Sequence, residues 1–80
     1  MVSRKVYVKV ISETDQEGNV SPISVIWEDG RSYTVDKVTD IRRSYAQKVG
    51  GTAMRYTVNI GAKQTYIFSE DGKWFVESKV

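Results

Sequence analysis

Hydrophobic positions along the chain recur with period two, the spacing of strands that present one face to a core and the other to solvent. The clearest run is Met54–Ile60, where Met54, Tyr56, Val58 and Ile60 alternate with Arg55, Thr57 and Asn59. Near the start, Val6, Val8 and Val10 alternate with Lys5, Tyr7 and Lys9, which predicts a strand with an inward valine face and a basic, tyrosine-bearing outer one. Ile23, Val25 and Trp27 share the parity of a third strand, which returns after Asp29-Gly30 with Tyr33 and Val35. Val38 falls on the opposite parity from Tyr33 and Val35, so a bulge or bend is expected near Asp36-Lys37. Gln64–Ser69 and Lys73–Glu77 complete the pattern, with Ile67 beside Phe68 and Trp74 beside Phe75 placing large side chains on both faces. Asp71-Gly72 suits the positive backbone angles of a two-residue hairpin, and Gly61-Ala62-Lys63 closes another.

Two stretches interrupt the alternation. Ser12–Pro22 collects Glu13, Asp15, Glu17, Gly18, Asn19 and Pro22 and is expected to be a solvated turn. Its alternate acids resemble the start of a calcium loop but lack the later bidentate glutamate. In Thr39–Gly51, Val38, Ile41, Tyr45 and Val49 stand at helical spacings, with Thr39 and Gly50 placed as caps. A strand reaching about Arg42 and then a mobile loop through Gly50-Gly51 is favoured, and a short helical turn around residues 40–49 is the alternative. Together these elements predict an all-β domain spanning residues 1–80. It is a small six-stranded antiparallel meander curled into a partly open, SH3-like barrel.

Composition narrows the chemistry. Eighty residues support one small domain, which buries only about 60–65% of its unfolded surface. Twelve Lys and Arg against ten Asp and Glu leave a net charge of +2, mildly basic and well mixed. Cysteine and histidine are both absent, which removes disulfides, thiolate nucleophiles, thiolate metal sites and the commonest general base. The adjacent acids Glu28-Asp29 and Glu70-Asp71 sit in turn signals, where carboxylates are ordinary, so no enzyme activity, cofactor or metal is expected. No apolar run is long enough to span a bilayer, so a soluble, cytoplasmic protein without a membrane partner is expected.

What remains is binding. Arg42, Arg43, Tyr45 and Lys48, with Arg55 just beyond, would set cations and an aromatic ring along one rim, suited to phosphates and a stacked base. Pairing of the two arginines with Asp36 or Asp40 is the structural alternative. Lys5, Tyr7 and Lys9 form a weaker second stripe. A protein partner, met at an edge strand or an exposed aromatic groove, is the other reading.

The runs Ile26-Trp27-Glu28-Asp29-Gly30-Arg31 through Tyr33, Arg55-Tyr56, Thr65-Tyr66-Ile67-Phe68 and Lys73-Trp74-Phe75-Val76-Glu77 resemble a family of short, mostly β bacterial proteins, mainly from Gram-positive species and without assigned activity. That resemblance implies the barrel and no function. More loosely, Trp27, Gly30-Arg31, Tyr33, Val35, Val38, Asp40 and Arg42 are similar to the pattern of a small β domain found near bacterial DNA-repair polymerases, a likeness that shared barrel architecture would equally give and that adds slightly to the nucleic-acid reading.

Overall fold

The computed structural model describes residues 3–45 and 52–79. They form seven strands: β1 (Ser3–Thr14), β2 (Val20–Ile26), β3 (Ser32–Thr34), β4 (Lys37–Tyr45), β5 (Thr52–Ile60), β6 (Lys63–Glu70) and β7 (Lys73–Lys79). The described residues contain no helix, and so none long and apolar enough to cross a membrane. All pairings are antiparallel, in the order β3-β2-β1-β7-β6-β5-β4. Every strand therefore lies beside its neighbours in sequence, and β1 meets β7, with the single break between β3 and β4. The result is a meander curled into a partial barrel.

The count of seven corrects the expected six. A single bent strand was anticipated across Asp36-Lys37, but the chain changes partners there: β3 pairs with β2 and β4 pairs with β5. Both halves are extended, so alternation alone does not reveal the switch. The bulge itself falls slightly later, between Val38 and Asp40. The helical alternative for residues 40–49 is corrected over 40–45, which belong to β4. Residues 46–49 lie outside the described chain, as does the loop expected through Gly50-Gly51. The first turn is also tighter than the span Ser12–Pro22, because β1 runs on to Thr14 and β2 begins at Val20.

That turn is closed by one carboxylate. Asp15 Oδ1 accepts hydrogen bonds from the backbone of Glu17 (2.9 Å) and Asn19 (2.8 Å), and Oδ2 accepts from Asn19 Nδ2 (3.1 Å). The acid is engaged by its own loop. At the last hairpin Asp71 and Gly72 both adopt positive φ, 52° and 78°, as a two-residue turn between twisted strands requires.

The curl follows from where the apolar residues meet. Val25 of β2 packs in one cluster with Tyr56 and Val58 of β5 and Ile67 of β6, although three strands separate β2 from β5 in the sheet. Val8, Val10, Val38, Trp74 and Val76 pack against that cluster, so this is the inner face. Val58 and Ile67 are fully buried there, each contributing about 1.5–3 kcal/mol of hydrophobic stabilisation. Tyr56 rests against Trp74 at 5.1 Å between ring centroids, and burial pushes its phenol pKa up. The seam between β3 and β4 is pinned at the crossing point: Val35 N donates to Ile23 O, Asp36 N to Asn59 O, and Gly61 N to the Asp36 carboxylate, all at 2.8 Å.

Candidate nucleic-acid interface

Directly paired residues of an antiparallel ladder project from the same face. Following the register, Tyr7 stands opposite Phe75, Phe75 opposite Phe68, Phe68 opposite Arg55 and Arg55 opposite Arg42. One row thus crosses five strands on the outer face. Residues two positions away add Lys5 and Lys9 from β1, Lys73 from β7, Tyr66 from β6 and Asp40 from β4.

The centre of this face is apolar and closed. Phe68 and Phe75 are stacked at 5.0 Å with their rings 7° from parallel, and both are buried. Tyr7 meets Phe75 edge-on at 5.9 Å, and Lys5 Nζ lies 4.6 Å from the Phe75 ring centre while reaching Glu70 Oε1 at 3.1 Å. The flanks are open: Tyr7 is 55% exposed and Tyr66 48%. Each carries a cation, with Lys73 Nζ 6.0 Å from the Tyr7 ring centre and Arg55 Cζ 4.8 Å from that of Tyr66. The Arg55 Nε is buried and has no hydrogen-bond partner among the described residues. Arg55 also faces Arg42, a like-charged pair that is unfavourable by itself. Asp40 offsets Arg42 through a 2.7 Å contact between Oδ2 and Nε. Among the described residues Lys9, Lys73 and Arg55 form no ion pair.

The fold therefore redistributes the residues expected to share a rim. Arg42 and Arg55 are brought together on the outer face. Arg43, one residue on in a regular strand, projects from the opposite side, opposite Met54. The Asp40 pairing is the one anticipated as a structural alternative for Arg42. Tyr45 is the last residue of β4, its backbone opposite Thr52, and Lys48 lies outside the described residues. Missing from the sequence reading was the union of Arg42 and Arg55 with Lys5, Tyr7 and Lys9, to which Lys73 and Tyr66 belong as well. The signal was present in each strand's parity, but it becomes one surface only through the pairing of β1 with β7.

A cleft of about 470 Å³ lies on the inner side, among Val25, Trp27, Tyr33, Ile60 and Val76, with Asp29, Lys63 and Glu77 also in its lining. Asp29 is occupied in its own turn, accepting from Arg31 N at 2.9 Å. Among the described residues no group of three or more acids comes together that could hold a metal ion.

No family model matches this chain, and no match was found among curated proteins or solved structures.

Proposed function

We propose that this chain is a non-enzymatic binding module that takes single-stranded nucleic acid on the outer face of its sheet. One observation carries the reading: two exposed tyrosines, Tyr7 and Tyr66, each with a cation beside the ring, flank a continuous sheet face that also bears Lys9 and Arg42. Exposed aromatic rings stack on bases whatever their sequence, and Lys and Arg side chains donate hydrogen bonds to the phosphates between them. A non-catalytic role is supported by the carboxylates: Glu70 is engaged by Lys5, and Asp29 closes a turn.

Fluorescence anisotropy with a labelled oligothymidine, at about 50 mM and 200 mM salt, tests this reading. Binding that weakens with salt is expected. Tyr66→Ala should reduce affinity about 5- to 100-fold, the usual worth of one stacked base, and Lys73→Glu should reduce it further while flattening the salt dependence. Arg43→Glu, on the other side of the sheet, should leave affinity unchanged. Absence of binding at the lower salt, or a Tyr66→Ala variant that binds as the parent does, refutes the proposal. The cleft beside Trp27 and Tyr33 favours a second reading, an aromatic groove for a protein partner, which would then take precedence.

A further inference from the structure

We infer that the outer edge of β4 pairs with β4 of a second copy of this chain, about a two-fold axis through Ile41. Among the described residues β4 is the long unpaired edge of the sheet, nine residues against three in β3 at the other end. An edge of that length is a template for another strand, and its sequence decides which strand.

The two-fold restricts the choice. In an antiparallel pair of identical strands residue i faces residue n − i, and facing residues must both turn their backbone groups the same way, inward or outward. The sum n is therefore even, and the axis passes through a residue. An axis at Asp40 sets that carboxylate against its own copy. An axis at Arg42 sets two guanidinium groups together. An axis at Ile41 instead places Asp40 opposite the Arg42 of the second copy, and Arg42 opposite its Asp40. Because Asp40 and Arg42 already touch within one chain at 2.7 Å, the dimer would hold four charges alternating in sign on the outer face. On the inner face Ile41, 48% exposed in the single chain, would meet its own copy.

The charges that discourage other pairings thus permit this register. The bulge between Val38 and Asp40 confines regular pairing to roughly residues 39–43, so the interface is at the small end of the size range and the association weak.

Sedimentation velocity between about 10 µM and 1 mM, without nucleic acid, tests the inference separately from the ligand reading. The mean mass should rise toward twice that of the chain. Asp40→Arg and Arg42→Asp should each weaken dimerisation at least tenfold, since each places like charges across the axis. Mixed in equal amounts, the two variants should associate again, because each supplies the charges the other lacks. The double variant Asp40→Arg/Arg42→Asp should dimerise as the parent does, which separates a charge effect from a folding defect. A parent chain that stays monomeric to 1 mM overturns the inference, as does a mixture that associates no better than either variant alone.

Discussion

The Phe68–Phe75 stack makes a quantitative claim about a face that simple alternation would assign to solvent. The two residues are direct cross-strand partners, nearly parallel at 5.0 Å and both buried. Truncating either to leucine removes part of a buried ring while keeping an apolar side chain of similar reach, a loss of about 1–2 kcal/mol from area and aromatic contact. A domain of eighty residues holds about 4–12 kcal/mol in total, so both single variants and the double should remain folded. Phe75→Ala, at about 3–5 kcal/mol, would take a quarter or more of that and is the poorer probe. The informative quantity is the coupling. If the stack contributes beyond its buried area, the double variant should lose about 0.5–1.5 kcal/mol less than the sum of the singles. Urea denaturation with unchanged m-values reads this directly, and in melting experiments it appears as a shortfall of about 4–8 °C per kcal/mol. Losses that add to within about 0.3 kcal/mol would mean that the parallel geometry contributes nothing specific, and the reasoning would fail.

Trp74 is half-buried against Tyr56 on the inner face, so Trp74→Ala should cost about 2–3 kcal/mol in the same assay, and a loss below about 1 kcal/mol would place the ring in solvent. Gly72 stands at φ 78° with open space around it, so Gly72→Ala should cost about 1–2 kcal/mol through backbone strain alone, and a neutral result would contradict the turn conformation. Hydrogen bonds from the Asn19 backbone, then from its side chain, hold the Asp15 carboxyl below the usual carboxylate range. A depressed folded pKa stabilises the turn above the ordinary carboxylate value and is lost as pH falls through the folded one. NMR titration of the Asp15 carboxyl carbon should therefore give a midpoint below the ordinary aspartate value, with the Asn19 amide shifting in step; an ordinary midpoint would show that the turn is not held this way.

How much of this could be read from the residues differs by scale. Strands came through because alternation is local: Val6, Val8 and Val10, or Tyr56 and Val58, announce their inner face without reference to any partner. Ile67 beside Phe68, and Trp74 beside Phe75, announced in the same way that β6 and β7 are covered on both sides. The division of β3 from β4 did not come through, since the change of partner at Val35–Asp36 falls between two stretches that are both strand. The grouping of Arg42 with Arg43 failed for a related reason. Read as the start of a loop they could share a rim, whereas in a regular strand neighbours must point apart. Tyr7 and Tyr66 lie far apart in sequence, and only the ladder β1–β7–β6 places them on one face.

That ladder also governs the order in which the fold can be completed. Val6 pairs with Val76, about seventy residues later, so β1 waits for β7 before its second edge is filled. On a ribosome the β1–β2–β3 segment emerges first with its valine face uncovered, and the inner cluster, which draws on β5 and β6, cannot close until most of the chain has appeared. Contacts of such long sequence separation are slow to form, because the entropy of closing the intervening loop is spent before they reward it. The protein's most exposed moment is thus during its own synthesis, when a half-built sheet with a bare edge must stay clear of its neighbours until the last strand arrives.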